Sequence, residues 1–333
     1  MKLSIILLCW NDRKVIADCL RSIFANTHRI DFEVIVSDNG STDGSIEYIR
    51  SAYPMVRLIE NGRNLRFAKA NNVGIRASHG EYVLILNPDT LIHEGCLDKI
   101  VSFADQHREG GAFGCRVLNS DGSYQVSARP FASLRAEWIA ALYLRSLGRL
   151  HKWFMSDSYS GWNGTTERQV DWVSGCFILV RAGLLRSIGG FDEQFFYYYE
   201  DMDLCRRIWR AGYKVLYSPV TTITHLGGKS TKARYPALGF ALDGQVTKYL
   251  YHYKYSGERG VRFARYTELV ALAIRRVGYS IAQVLRPTKV RRDRLILLAQ
   301  LFEWTYQLDP IRLVRTGEEP EFGLIIPDRV AER

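Results

Sequence analysis

The chain has 333 residues, of which 47% are hydrophobic and 24% charged, and its formal net charge is +10. These values are typical of a globular protein with a sizeable core, built as one large domain or as a domain with an added subdomain. Between Lys254 and Arg294 there are eleven Lys or Arg residues and only three acids. Because a nucleic-acid-binding surface would spread its charge more widely, we expect no nucleic-acid partner.

The cysteine pattern and the N-terminus both predict a cytoplasmic protein. The six cysteines are scattered without a C-x-x-C pair, which indicates buried thiols in a reducing compartment rather than disulfides or a zinc site. The first apolar run is short and leads directly into Asn11 and Asp12, so it predicts a β-strand rather than a signal peptide. No run approaches the roughly 18–20 apolar residues of a membrane span.

Strand and helix signals alternate through the first 115 residues. The predicted strands cover residues 3–9, 32–37, 56–60 and 82–86, and the predicted helices cover residues 15–24, 45–52 and 67–78. This β-α-β-α-β-α-β order predicts an α/β fold with a doubly wound, mostly parallel, Rossmann-like sheet and helices on both faces.

Polar, turn-forming residues follow three of these strands, at residues 9–11, 37–40 and 87–90. Ligands of such sheets collect at the carboxyl ends of the strands, so the three segments together predict a nucleotide-side cleft, although each alone could be an ordinary turn. No G-x-G-x-x-G or P-loop motif follows the first strand, which argues against dehydrogenase and P-loop chemistry. A metal held by Asp89 is the candidate that replaces glycine-assisted phosphate binding.

The second part of the chain begins irregularly. Residues 116–170 are predicted to have little regular structure apart from a hairpin turn at Asp121 and Gly122, with an aromatic-rich stretch from Trp138 to Trp162. Strands are then predicted at residues 176–180, 213–217 and 221–225, with a short helix at 182–187 and a longer one that stops at Gly212.

Three carboxylates lie directly behind an aromatic run at residues 195–199: Glu200, Asp201 and Asp203. Acids in the first turn of a helix favour the positive end of the helix dipole, which is one explanation. The other is an active-site base whose reactivity is raised by its surroundings.

A late segment, residues 262–286, has apolar residues at helical three-and-four spacing, flanked by arginines. The apolar positions are Phe263, Tyr266, Val270, Ile274, Val277, Ile281 and Val284. A helix packed on its own domain would explain the apolar stripe alone. The clustered positive charge favours a helix that lies on an anionic membrane surface.

Four motifs in order resemble glycosyltransferase family 2. S-D-N-G-S-T-D-G-S at residues 37–45 is close to the V-D-N-x-S-x-D-G-S signature, and L-N-P-D-T at 86–90 resembles the L-N-P-D form of the D-x-D motif. G-G-F-D-E at 189–193 with E-D-M-D-L at 200–204, and T-H-L-G-G at 224–228, resemble the corresponding blocks of the rhamnosyltransferase-like branch. Together these motifs cover roughly residues 1–230.

The resemblance implies a GT-A fold and an inverting transfer of a sugar from a nucleotide diphosphate donor to a glycan or lipid-linked acceptor. The branch suggests L-rhamnose from dTDP-rhamnose, in the synthesis of a cell-surface polysaccharide such as an O-antigen. Asp201 would be the general base, with Glu200 as an alternative that could instead hold an acceptor hydroxyl, and Asp203 would compensate the helix dipole. Asp89 would hold Mg²⁺ or Mn²⁺, and His225 would be a further metal ligand or a contact to the diphosphate. His225 could also be an ordinary hydrogen-bonded histidine at a strand end.

The resemblance also assigns residues to the two substrates. Donor-binding positions would be Cys9, Trp10, Asn11, Asp38 on the nucleobase, Asn64, Arg66, Lys69, Asn72, Asn87 and Asp89. Acceptor-binding positions would be Trp172, Gly175, Tyr199 and Glu200. Four positions depart from the family pattern: Arg66 replaces a glycine, Cys9 and Trp10 replace Thr-Tyr, and Asn87 replaces the first Asp of D-x-D. The change at Asn87 leaves fewer charged metal ligands, which predicts weak metal dependence.

These assignments predict three segments: a nucleotide-sugar-binding half at 1–115, an acceptor-binding and catalytic half at 116–230, and a basic, mostly helical extension at 231–333. We expect the protein to be peripheral on the inner face of the cell membrane. Two alternatives have distinct signatures. A sugar-nucleotide nucleotidyltransferase needs a glycine-rich, basic loop after the first strand, which residues 9–14 do not supply, and a non-catalytic carbohydrate-binding protein predicts that Asp201→Asn leaves function intact.

Overall fold

A computed structural model describes residues 1–144, 159, 161–195, 198–227 and 237–316. These residues form two compact units, one drawn from residues 1–131 and 158–234 and the other from 132–157 and 235–333. The predicted functional division at residues 115 and 230 stays a prediction. Phe196, Tyr197, Gly228 and much of the aromatic stretch 138–162 lie outside the described residues.

The first unit is built on one large mixed sheet. In chain order the strands of the unit are β1 (Leu3–Cys9), β2 (Phe32–Asp38), β3 (Arg57–Glu60), β4 (Tyr82–Leu86), β5 (Thr90–Ile92), β6 (Gly110–Leu118), β7 (Tyr124–Gln125), β8 (Ala128–Arg129), β9 (Arg168–Val170), β10 (Trp172–Val173), β11 (Phe177–Arg181) and β12 (Lys214–His225). Two short strands, β8 and β10, form a separate two-stranded sheet. The helices of the unit are α1 (Arg13–Asn26), α2 (Ser45–Ala52), α3 (Arg66–Ala77), α4 (Cys96–Gln106), α6 (Ala182–Ser187) and α7 (Glu200–Arg210).

The strand order of the large sheet is β3-β2-β1-β4-β11-β6-β12-β5. In addition, β7 pairs with β6 and β9 pairs with β12. Strands β3, β2, β1 and β4 are parallel to one another, whereas β11 runs antiparallel between β4 and β6. Strand β12 is parallel to β6 and antiparallel to β5. The predicted doubly wound, mostly parallel α/β architecture is therefore confirmed, and its fold is GT-A.

Helices cover both faces of this sheet, so its central strands are apolar on both sides. In β1, for example, Ile5 and Leu7 enter one hydrophobic core and Ile6 enters the other. Burial on both faces is typical of parallel strands and explains the continuous apolar run in the sequence.

Two differences from the predicted elements have local causes. Residues 213–217 and 221–225, predicted as two strands, belong to the single strand β12, whose register shifts between Ser218 and Thr222 around Pro219. Proline donates no ladder hydrogen bond, so an irregularity there lets the strand continue. The region from 116 contains β7, β8 and α5 (Leu134–Ala141), and was predicted as largely irregular because these elements are short. The hairpin turn at Asp121 is confirmed, with Gly122 at φ 80° between β6 and β7.

The second unit is helical: α5, α8 (Ala237–Leu285), α9 (Lys289–Gln307) and α10 (Pro310–Thr316). Helix α8 is interrupted at Gly257, where φ is 65° and ψ is −168°. Helix α5 packs against α8, with the Trp138 and Tyr266 rings stacked at 5.8 Å and a 2.6 Å contact between His252 Nε2 and Glu137 Oε1. Among the described residues, no helix combines the length and apolarity needed to cross a bilayer.

The predicted apolar stripe of residues 262–286 does not form the packed face of α8. The buried residues of α8 between Val261 and Leu272 are Val261, Ala264, Thr267, Ala271 and Leu272, which lie on a different face. Of the seven stripe residues, all but Val270 are exposed. Packing within its own unit therefore does not account for the stripe beyond Phe263 and Tyr266, whose rings contact Trp138.

Candidate active site

The end of β2 is organised by the carboxylate of Asp38. Its Oδ1 accepts hydrogen bonds from the backbone N–H groups of Gly40 (2.9 Å) and Ser41 (2.8 Å), and its Oδ2 accepts one from Ser41 Oγ (2.5 Å). Gly40 has a positive φ of 78°, which glycine adopts without strain. Asp38 is fully buried and fixes this turn, so its predicted contact with a nucleobase stays a prediction.

The end of β1 is tied to the same turn. Cys9 pairs with Asp38 across the parallel ladder, and burial beside that carboxylate raises the pKa of the Cys9 thiol to about 12. The N–H of Asn11 donates to Ser41 Oγ (2.8 Å), and Asn11 Oδ1 accepts from the N–H of Thr42 (2.7 Å). The structure thus brings the predicted donor residues Cys9, Trp10, Asn11 and Asp38 to one edge of the sheet.

The segment before α3 joins this edge through side-chain amides. Asn39 Nδ2 donates to Asn64 Oδ1 (3.0 Å), which also accepts from the N–H of Arg66 (2.8 Å). Arg66 has a φ of 66°, a left-handed conformation that explains why the family pattern has glycine at this position. Lys69 lies on the exposed side of α3.

Asn72, also predicted to bind the donor, is buried and makes its hydrogen bonds elsewhere. Its Oδ1 accepts from the N–H of Phe191 (2.8 Å), and its Nδ2 donates to the Phe191 carbonyl (2.9 Å) and to Glu193 Oε1 (3.0 Å). A Cβ on Gly190 would lie 2.4 Å from Asn72 Oδ1. In the described residues Asn72 therefore anchors the G-G-F-D-E loop to α3, and its contact with a donor stays a prediction.

The predicted metal residues are adjacent. His225 Nε2 lies 3.1 Å from Asp89 Oδ1, and His225 Nδ1 lies 3.1 Å from Gln125 Oε1. Both side chains are largely buried, with exposed fractions of 12% for His225 and 6% for Asp89. A carboxylate and an imidazole are suitable ligands for Mn²⁺, and a second-shell acceptor on Nδ1 orients such a ring.

The described residues contain no group of three or more metal-ligating side chains. Two protein ligands suffice for a Mg²⁺ or Mn²⁺ site that is completed by substrate phosphates and water. The residues present therefore fit a metal bound jointly by the protein and a diphosphate.

Asp201 lies at the start of α7, with its carboxylate held by two backbone groups. Oδ2 accepts from the N–H of Gly175 (2.9 Å) and Oδ1 from the N–H of Met202 (2.7 Å). Burial raises the pKa of Asp201 to about 6, against the lowering effect of these hydrogen bonds. Burial and the neighbouring Asp201 charge raise the pKa of Glu200 well above its usual range.

The third acid is part of the helix framework. Asp203 is fully buried, and its Oδ2 accepts from Arg207 Nε one helical turn later (2.7 Å). This ion pair adds to the predicted dipole compensation. Immediately before the acids, Tyr198 and Tyr199 both have positive φ, 66° and 67°. Left-handed backbone at two consecutive non-glycine residues costs about 1–2 kcal/mol each and is typical of functional sites.

Gly175 and Cys176 connect Asp201 to Asn87, one of the predicted donor-binding residues. The N–H of Gly175 donates to Asp201, and the carbonyl of Cys176 accepts from the N–H of Asn87 (3.1 Å). Burial raises the pKa of the Cys176 thiol to about 12, and the charges of Asp89 and Asp201 add to the effect. Cys176 therefore lies near both carboxylates. Trp172, a predicted acceptor residue, is half-buried and donates from Nε1 to the Pro130 carbonyl (2.9 Å).

Sequence reasoning missed Ser41 and Gln125. Ser41 contacts Asp38 and Asn11 at once, and the S-x-D-G-S part of its motif was the available signal. Gln125 lies on β7 in a hairpin and reaches His225 only because β7 and β12 both flank β6, so no local signal marks it.

A GT-A sheet with Asp89 after its fourth strand and Asp201 at the start of α7 has the features expected of a glycosyltransferase, which is the class of protein. The model of the family "Glycosyl transferase family 2" matches residues 4–186. The chain belongs to this family.

Similar proteins agree with the predicted branch. The chain is 33% identical over 236 residues to an "N-acetylglucosaminyl-diphospho-decaprenol L-rhamnosyltransferase" of Mycobacterium tuberculosis, covering 67% of this chain and 76% of the relative. It is 26% identical over 218 residues to "Rhamnosyltransferase WbbL" of Escherichia coli K12, covering 62% and 78%. The predicted resemblance to the rhamnosyltransferase-like branch is confirmed.

Solved structures show the same fold. The mannosyltransferase PcManGT of Pyrobaculum calidifontis, in complex with GDP-Man and Mn²⁺, has a TM-score of 0.52 at 17% identity, covering 96% of this chain and 88% of that one. GalNAc-T7 with UDP, GalNAc and Mn²⁺ also has a TM-score of 0.52, at 14% identity, covering 80% of this chain and 54% of that one. At these identities the likeness shows the fold alone.

Proposed function

We propose that this glycosyltransferase transfers a sugar, L-rhamnose from dTDP-rhamnose as the branch suggests, with inversion to a lipid-linked acceptor in cell-surface polysaccharide synthesis. The observation that carries the chemistry is Asp201: a carboxylate oriented by two N–H groups, with a pKa of about 6. A base with that pKa is ionised at neutral pH and still accepts a proton. The mycobacterial relative is named for a decaprenol-linked substrate, and this supports a lipid-linked acceptor for the present chain.

In the proposed reaction the acceptor hydroxyl gives its proton to Asp201 as its oxygen attacks the anomeric carbon. The new C–O bond forms on the face opposite the departing nucleotide diphosphate, and the bond between the anomeric carbon and the diphosphate oxygen breaks. One carboxylate suffices because inversion is a single displacement. The raised pKa of Glu200, beside Asp201, favours its neutral carboxyl form, and that form can donate a hydrogen bond to a second oxygen of the acceptor sugar.

The donor would lie along the ends of β1, β2 and β4, with Asp38 on the nucleobase side. Asp89 and His225 would hold Mg²⁺ or Mn²⁺ against the diphosphate, and such an ion, when bound, offsets charge on the leaving group as a Lewis acid. The Mn²⁺ in the two similar structures supports this part of the proposal. We also propose that the protein works at the inner face of the membrane, where it would meet a lipid-linked acceptor.

The test is nucleotide diphosphate release from a panel of nucleotide sugars in the presence of an acceptor, with Mg²⁺, Mn²⁺ or EDTA. We expect release with one donor, and a loss of about 10²–10⁴-fold for Asp201→Asn. Asp31→Asn is a matched control that should release nucleotide at the unaltered rate, because Asp31 is exposed and precedes β2 at the strand end opposite Asp38. Undiminished release by Asp201→Asn would refute the base, and transfer with retention of the anomeric configuration would refute the single displacement.

A further inference from the structure

The end of the helical hairpin formed by α8 and α9 is unlike the rest of the second unit. Leu272 is the last buried residue of α8 and Leu298 the first buried residue of α9, and none of the residues between them is buried. We call residues 273–297 the hairpin tip. At 1.5 Å per residue, its α8 arm continues about 20 Å past Leu272.

The hairpin tip exposes large apolar side chains to an unusual extent. Those with exposed fractions above one third are Ile274 (38%), Val277 (60%), Ile281 (57%), Val284 (83%), Leu285 (75%), Val290 (77%) and Ile296 (54%). On α8 they recur at three-and-four spacing, so they form one continuous stripe on the face opposite the packed one. A contiguous apolar surface of this kind marks an interaction site rather than scattered exposure.

Positive charge surrounds this stripe. The hairpin tip carries seven cationic residues and one carboxylate, Asp293; the cations are Arg275, Arg276, Arg286, Lys289, Arg291, Arg292 and Arg294. All but Arg291 are exposed. Long cationic side chains can keep their charges at a polar boundary while the apolar residues between them enter an apolar phase.

We propose that the hairpin tip is a docking surface for an anionic membrane, with the apolar stripe in the interfacial region and the cations on acidic lipid headgroups. The combination of an apolar stripe with flanking Lys and Arg on a helix is the pattern of interfacial membrane binding. The proposal rests on the proposed function only in that a lipid-linked acceptor lies at a membrane.

The charge argues against a second copy of this chain as the occupant. A symmetric dimer would place the same patch on both sides of the interface, so two tips with six excess positive charges each would face one another. Like charges in an interface oppose association. A spanning segment is also excluded for the tip, because its α8 arm is shorter than the roughly 20 residues that cross a bilayer.

The proposed membrane-binding surface is shorter than the apolar stripe predicted for residues 262–286. Phe263 and Tyr266 begin the same stripe, but both rings contact Trp138 of α5, at 5.9 and 5.8 Å between centroids. This part of the stripe is partly covered within its own unit. The membrane surface therefore begins near Ile274.

The experiment is co-sedimentation of the full chain with vesicles of phosphatidylcholine mixed with phosphatidylglycerol, against vesicles of phosphatidylcholine alone. We expect binding to the anionic vesicles that weakens with salt. The double variant Arg292→Gln/Arg294→Gln should lower the partition coefficient by about thirtyfold, because each basic residue near an anionic surface contributes about a factor of five. Arg29→Gln/Arg108→Gln removes the same charge from exposed positions of the first unit and should bind as the unaltered chain does.

A second pair tests the apolar contribution. Val277→Ser/Ile281→Ser should lower vesicle binding at least tenfold, whereas Met55→Ser, at a site 65% exposed in the first unit, should not. All of these variants should keep their rate of transfer to a water-soluble acceptor, so failure of the docking surface and failure of the proposed chemistry give different results. The proposal would be overturned if the tip variants bound vesicles as strongly as the unaltered chain, or if binding did not depend on the phosphatidylglycerol content. A dimer in sedimentation velocity that the tip variants convert to monomer would identify a second copy as the occupant instead.

Discussion

Asp201 has two backbone donors on its carboxylate, yet burial still holds its pKa at about 6. Protonated Asp201 could not take the proton of the acceptor hydroxyl, so activity depends on the ionised form of Asp201. We therefore expect kcat/KM to fall tenfold for each pH unit below about 6 and to be flat just above it. The measurement is a pH–rate profile with saturating metal.

The neighbouring acid supplies the control for this pH profile. Glu200→Gln removes the neighbouring acid, whose pKa burial also raises, but leaves Asp201 in place, so the acidic limb should persist. Asp201→Asn should lack the limb as well as most of the rate. An acidic limb that disappears in Glu200→Gln and survives in Asp201→Asn would reverse the two assignments.

Gln125 contacts His225, one of the two predicted metal ligands. Its Oε1 lies 3.1 Å from His225 Nδ1, while Nε2 of the same ring lies 3.1 Å from Asp89. Loss of a second-shell partner typically lowers metal affinity 10–100-fold. We expect that loss of Mn²⁺ affinity in Gln125→Ala, measured by the paramagnetic resonance of free Mn²⁺, and no loss in Gln106→Ala, at an exposed position of α4. Unchanged affinity in Gln125→Ala would mean that Gln125 does not position His225 for a metal.

At the scale of the helix, α7 separates the acids by role. Asp203 is fully buried against Arg207, so Asp203→Ala leaves a largely buried guanidinium without its carboxylate. We expect a loss of about 3 kcal/mol in the free energy of unfolding, measured by urea denaturation, with kcat of the folded fraction unchanged. Adding Arg207→Met should restore part of the loss, because an apolar pair avoids the unpaired charge. A stability loss for Asp201→Asn as large as that for Asp203→Ala would contradict this division.

The start of α3 stores backbone strain at Arg66, where φ is 66°. Arg66→Gly and Arg66→Ala both remove the guanidinium, but only glycine adopts this conformation freely. Arg66→Gly should therefore be more stable than Arg66→Ala by about 1 kcal/mol in thermal or urea unfolding. If the guanidinium contacts the donor diphosphate, both variants should raise the KM for the donor equally. Equal stabilities would show that the left-handed conformation carries no strain.

The elements divide into those that local sequence specifies and those that long-range contacts specify. Strands β1, β2 and β4 and the turns after them follow from continuous apolar runs and turn residues, so Asp38 and Asp89 could be placed from the sequence. The buried helix start at Asp201 was placed through a motif. By contrast, Asn72 reaches Phe191 across 119 positions and Gln125 reaches His225 across 100, and no local pattern encodes such pairs. The exposed direction of the stripe on α8 also depends on which face α9 covers, since both faces carry apolar residues.

For the whole molecule, the six cysteines give a readout of one unit. All six are free and buried, and all belong to the unit drawn from residues 1–131 and 158–234. Burial raises the pKa of every one of these thiols, for example that of Cys19 to about 12 and that of Cys205 to about 12. A buried, protonated thiol reacts only when the surrounding structure opens, so alkylation reports the opening of this unit.

We therefore expect the native chain to resist iodoacetamide at neutral pH and to react at six sites in urea. Asp203→Ala should accelerate labelling of the native chain by about 10²-fold if the thiols react through global unfolding, since about 3 kcal/mol of stability is lost. The hairpin-tip variants should label as slowly as the unaltered chain, because they change only exposed residues of the other unit. Mass spectrometry of the alkylated protein counts the sites. Fast labelling of one cysteine in the native chain would show that its strand opens locally, and acceleration by the tip variants would show that the two units unfold together.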